Sequence, residues 1–115
     1  MKLLLDSHVR QLAANGVRFD ATGDDDFVPV VKLFTPDANA TWFLILSYPD
    51  APDILFGLCD LGLGFPELGT VRFSELVALR GPLGLAVERD RHFDPEEKTL
   101  SAYAADALKR GHIAA

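Results

Sequence analysis

The sequence predicts an α+β fold: a small, mainly antiparallel sheet of four to five strands with an N-terminal helix, a short middle helix and a C-terminal helix. Two observations carry that prediction. Three apolar runs, at 28–35, 41–48 and 54–61, are joined by short links rich in Pro, Asp and Asn, which is hairpin spacing and leaves no room for crossover helices. Helical patterns stand before and after this block. At 115 residues and 49% hydrophobic, the chain supplies one core, and residues 1–115 are read as a single domain.

The elements follow in order. Asp6 or Ser7 is placed to cap a first helix, with Leu5, Val9, Leu12 and Ala13 recurring on one face. Asn15-Gly16 reads as its end, because glycine accepts the left-handed conformation that follows a last turn. "FDATGDDDF" then reads as a solvated turn, since three successive aspartates repel each other and lack the alternation of a calcium loop. "VPVVKLFT" is a strand that begins at Pro29 or lies at an edge, as proline donates no ladder hydrogen bond. "TWFLILSY" is apolar on both faces and therefore central, with Trp42 and Phe43 packing into the core in preference to stacking on bases.

"ILFGLCDL" gives a third strand, and "TVRF" a short fourth after a glycine-rich stretch. Ser74 is placed to cap a brief helix that Gly81-Pro82 stops. "GLAVERD" is a last strand, and a final helix runs from a Ser101 cap to Arg110, with Asp106 and Arg110 paired and Gly111 terminating it.

Charge narrows the function. The net charge is −6, with nine aspartates against four Lys or Arg in residues 1–60. That balance repels phosphate and argues against broad nucleic-acid binding. One cysteine gives neither a disulfide framework nor a multi-cysteine zinc site, which fits a reducing, cytoplasmic setting. The start "MKLLLDSHVRQL" is too short in apolar residues for a signal peptide, and no run suffices to span a bilayer.

The stretch "FGLCDLGLGFPELG" (56–69) tests for a nucleotide loop and fails. Glu67 stands where a dinucleotide fingerprint needs its third glycine, and Thr70-Val71 replaces the Lys and hydroxyl pair of a phosphate loop. The remaining reading is a packed turn in which Leu58, Leu61, Leu63, Phe65 and Leu68 point inward, with a recognition surface built on it. Cys59 reads as buried and inert, an acidic neighbour raising its thiol pKa. His8, His92 and His112 are too scattered for a metal site. The serines Ser47, Ser74 and Ser101 read as turn or cap residues.

"VPVVKLFTPDANATWFL", "FGLCDLGLGFPELGTVRFSEL" and "LRGPLGLAVERDRHF" together resemble the signature blocks of a bacterial family, domain-of-unknown-function family 2958. The resemblance runs from the first helix into "LSAYA". It implies a stand-alone small protein of plasmids and integrated conjugative elements, and brings no activity, cofactor or catalytic residue. One departure is Leu46, within "WFLILSYP", where similar members carry an acid.

The expectation for function is a non-enzymatic binding or adaptor protein. Its recognition surface comprises the 60–69 loop and the 80–93 segment, with Asp60, Glu67, Arg80, Glu88, Arg89, Asp90 and Arg91 as candidate binding residues and no catalytic, cofactor or metal residue assigned. A protein partner is expected, with a monomer or homodimer and no membrane. Two alternatives stand beside it. One is a small divalent-metal hydrolase or nuclease using Asp60, Glu67, Glu88 and Asp90; the other is an acidic mimic of nucleic acid using the aspartate run.

Overall fold

The computed structural model of the protein describes residues 2–113. Helix α1 (Asp6–Thr22) leads into strands β1 (Val31–Phe34), β2 (Thr41–Tyr48), β3 (Ala51–Asp60) and β4 (Glu67–Arg72). Helix α2 (Phe73–Ala78), strand β5 (Glu88–Arg89) and helix α3 (Leu100–Arg110) follow. The five strands form one sheet in the order β4-β3-β2-β1-β5, and every neighbouring pair is antiparallel. The predicted α+β class holds, with all three helices in place. No helix among the described residues is long and apolar enough to cross a membrane.

The sheet is covered on both faces, which explains why β2 is apolar throughout. Val31, Leu33, Trp42, Leu44 and Leu55 pack with Leu12 of α1 and Leu76 of α2. Phe43, Ile45, Leu46 and Leu58 pack with Leu100, Tyr103 and Ala107 of α3. Phe43 stacks on Phe93 at 5.2 Å and meets Tyr103 edge-on at 4.7 Å. Trp42 and Phe43 are both buried, as core packing requires.

Helix α1 differs from its expected form. It does not stop at Asn15-Gly16 but continues to Gly23, whose left-handed backbone ends it. Its buried positions are Leu12, Asn15 and Gly16, while Leu5 and Val9 are exposed. The reason lies in the sheet. The β2–β3 register slips between Leu44 and Leu46, leaving Ile45 at the irregularity. Asn15 donates its side-chain amide to the Ile45 carbonyl at 2.7 Å, and Gln11 holds the Asn15 oxygen at 2.8 Å. Gly16 lies against the Ser47 carbonyl, so close that a side chain there would overlap it. The pair marks where the helix touches the sheet.

Helix starts also differ. Arg72 and Thr99 occupy the N-cap positions of α2 and α3, and neither caps with its side chain. The orphan donors of the first turns are taken by carboxylates from elsewhere. Asp53 of β3 accepts from the Ser74 N–H at 2.9 Å and hydroxyl at 2.6 Å. Asp26 does the same for Ser101 at 2.9 and 2.7 Å. At α1, the Leu5 N–H donates to His8 Nδ1. The aspartate run is thus more than a solvated turn. Asp26 caps α3, and Asp24 pairs with Arg18 at 3.3 Å.

Candidate functional site: the loop end of the sheet

Three connections meet at one end of the sheet: the β1–β2 turn (35–40), the β3–β4 loop (61–66) and the 81–85 turn. The first braces the other two. Asp37 accepts from the backbone N–H groups of Leu83 (2.8 Å) and Leu85 (3.3 Å), and its carboxylate lies directly against Gly81. Asn39 packs under Gly62, where a side chain would collide with it. The 81–85 turn is closed by Gly81 N–H to the Leu85 carbonyl and by the Arg80–Ala86 bridge. "PDANA" reads as a mere turn in the sequence; in the fold it is the bracket for two distant segments.

Asp60, at the end of β3, braces the second loop. Only 3% exposed, it accepts from the Gly62 N–H at 2.8 Å with one oxygen and from the Ile113 N–H at 2.9 Å with the other. It therefore ties the glycine loop to the segment leaving α3. Gly62 and Gly64 adopt positive φ, which lets the six-residue link turn within this constraint. Beside it opens a groove of about 510 Å³, lined by Lys32, Phe34, Thr41, Asp60, Gly64 and His112, among others.

The expected inward packing of the loop fails for every apolar side chain but one. Leu58 is buried, yet Leu63 is 74% and Phe65 77% exposed, and Leu61 and Leu68 are exposed as well. Leu83, at the tip of the neighbouring turn, is 79% exposed. Backbone constraints explain this. Asp60 and Asn39 fix the base of the loop, Pro66 is the buried residue, and the apolar tips project past the sheet end.

The register shows where the candidate charges fall. Glu88, Phe34, Thr41 and Asp60 form one row across the sheet; Arg89, Leu33, Trp42, Cys59 and Glu67 form the next. Neighbouring rows face opposite sides. Asp60 and Glu88 therefore share the α3 face three strand spacings apart, roughly 14 Å, whereas Glu67 and Arg89 lie on the other face at opposite edges, roughly 19 Å apart. The four carboxylates do not converge. Among the described residues no group of three His, Cys, Asp or Glu side chains is placed to hold a metal ion.

The remaining candidates hold neighbouring parts of the fold. Arg80 donates to the Val77 and Leu79 carbonyls at 2.9 and 2.8 Å. Arg89 donates to the carbonyls of Lys2 and Leu3, at 3.0 and 2.9 Å. Asp90 pairs with Lys32 at 3.3 Å and accepts from the His92 N–H. Burial pushes the Asp90 carboxyl up, but the His92 bond and Lys32 outweigh it and hold the pKa below the usual value. Arg91 is exposed beside them on the β5 edge. His8 is driven below its ordinary pKa by burial and by the Arg89 charge. The Cys59 thiol is pushed up to about 11 by burial and by Glu67, its cross-strand neighbour, so it stays protonated and unreactive.

The arrangement defines a class: a small α+β protein whose sheet end displays apolar loop tips on turns braced by the carboxylates of Asp60 and Asp37 and by contact with Asn39. The chain belongs to the family described as a protein of unknown function, DUF2958, whose model matches residues 3–114. Comparisons with curated proteins and with solved structures found no match.

Proposed function

We propose that the protein is a non-enzymatic binding or adaptor protein, of the kind carried by mobile genetic elements, and that it works in the cytoplasm. Its recognition surface is the loop end of the sheet. One observation carries this reading: Leu63, Phe65 and Leu83 are held out into solvent on loops whose bases are fixed by Asp60, Asn39 and Asp37. Exposed apolar side chains are ordinary when scattered, but several on adjoining braced loops mark an interaction site. Bracing matters energetically, because a surface already held in its bound shape loses less side-chain and loop entropy on association.

The partner is a protein. Apolar tips have nothing to offer a phosphate backbone, and a net charge of −6 opposes one. Of the charged candidates, Arg80 and Glu67 flank the tips and supply the polar rim, whereas Arg89, Asp90 and Arg91 sit along β5 and are not central to the contact. Affinity capture with quantitative mass spectrometry tests the proposal, comparing the wild type with Leu63→Ser/Leu83→Ser and with Arg91→Ala. The loop variant is expected to lose the specific partners and Arg91→Ala to keep them. Identical partner sets from all three would refute it.

A further inference from the structure

The two edges of the sheet are built differently. The β5 edge is blunted: the strand has two residues, Glu88 and Arg89, and continues into the charged Asp90 and Arg91. Short, charged edges of this kind prevent further strand pairing. The β4 edge is less protected, three times as long and charged only at its two ends, Glu67 and Arg72. Its six residues, ELGTVR, pair with β3 in unbroken register, without a bulge, a proline or a lysine. Among the described residues, no other segment's backbone or side chain hydrogen-bonds to residues 67–72 on the outer side.

Two further features sit on this edge. Leu68 is half exposed on the α3 side of the strand, and the exposed Phe65, Leu63 and Leu61 precede it. Among the described residues nothing requires a glycine at 69: its φ is not positive, and a Cβ there would meet no atom within 4 Å. Glycine in a strand interior weakens the strand, and its usual justification is the close approach of another backbone or ligand.

We propose that the outer edge of β4 is covered by the same edge of a second copy of this chain, joining two five-stranded sheets across a two-fold axis. Area and charge both favour this occupant. Leu61, Leu63, Phe65 and Leu68 together expose roughly 500 Å², over half of the roughly 800 Å² that each partner contributes to a stable interface, and the paired strands supply the remainder. Antiparallel pairing across a two-fold perpendicular to the sheet sets residues of like face opposite one another. With Gly69 on the axis, Glu67 faces the second copy's Val71, and Leu68 faces its Thr70. No like charges are opposed, and the bare Gly69 backbones meet at the centre. Leu63 and Phe65 belong both to this interface and to the recognition surface, so the dimer and an outside partner share them, while Leu83 and the 81–85 turn stay outside it; the strand positions Leu68 and Thr70 belong to the dimer contact alone.

Sedimentation equilibrium of the full chain tests the proposal. The wild type and a Glu88→Lys variant at the opposite edge are expected at twice the 12.6 kDa chain mass. Leu68→Lys/Thr70→Lys is expected at the single-chain mass with an unchanged circular-dichroism spectrum, because both side chains are exposed. Amide exchange of the unmodified protein gives a second reading: residues 67–72 should become slower to exchange as concentration rises. A wild type of single-chain mass up to its solubility limit would overturn the proposal, leaving the edge to an extended segment of another protein. A dimer that survives the double lysine variant, or β4 amides indifferent to concentration, would overturn it equally.

Discussion

Replacing Gly16 by alanine separates two opposing effects. In an exposed helix interior, glycine to alanine stabilises by roughly 0.5–1 kcal/mol, because the glycine loses more backbone entropy on folding. Gly16 is not exposed. A Cβ there would overlap the Ser47 carbonyl oxygen, lie 3.0 Å from its carbon and 3.4 Å from Pro49 Cδ. The obstacle is strand backbone, so α1 must retreat by about 1.5 Å to restore ordinary contact. That retreat stretches the 2.7 Å bond from Asn15 to Ile45 and opens the packing at Leu12. Overpacking costs about 1–3 kcal/mol, and an unsatisfied buried carbonyl adds about 1–3 kcal/mol. Against the helical gain, the net is a loss of roughly 1–5 kcal/mol, a large share of a typical domain's stability. At about 4 °C per kcal/mol, the melting temperature should fall by roughly 4–20 °C in a calorimetric or circular-dichroism melt. A Gly16→Ala protein that melts at or above the wild type would refute this account of the helix–sheet contact.

Three other outcomes follow from the same contacts. Asp60→Asn leaves one of two N–H donors facing an amide N–H₂, so stability should fall by about 1–3 kcal/mol and the Gly62 and Ile113 amides should exchange faster by NMR. Asp26→Ala removes the acceptor from the first turn of α3 and should cost about 1 kcal/mol in urea unfolding, while Asp25→Ala should cost little. His8 has a pKa below its unfolded value, so its neutral form contributes stability that is fully present above about pH 6.5 and is lost as pH falls through the lower folded value. His8→Gln should flatten that part of the pH–stability curve; a curve of unchanged slope would show that burial and the Arg89 charge do not hold His8 neutral in the fold.

The meander was legible because its signals are local. Apolar runs punctuated by Pro, Asp and Asn fixed β1 to β3, and Gly111 marked the end of α3. What escaped was set by distant residues. Asn15-Gly16 carries the local signature of a helix end, yet its role depends on an irregularity at Ile45, thirty positions on. Ser74 and Ser101 lie at helix starts as expected, but their capping carboxylates come from 21 and 75 positions away. The site divides the same way. The 60–69 loop stood out by composition, and Asp60 was singled out, but as a ligand-facing acid when it is a buried brace. Asp37 and Asn39 gave no signal beyond a turn, because nothing local ties 37 to 83. The outward tips of the loop carry no sequence signal of their own, since leucines in a glycine-rich turn look like core until the base of the turn is known to be fixed.

The trans-acting caps also bear on how the chain assembles. Helices α2 and α3, of 6 and 11 residues, are too short to persist alone in water. Their first turns are completed by carboxylates that reach position only after β3 and the segment before β1 have settled. The β-hairpins, whose partners are near in sequence, should therefore form ahead of them, with the helices condensing onto a sheet already laid down. Helical and sheet signals should then disappear together on unfolding, because neither helix has a start of its own to keep.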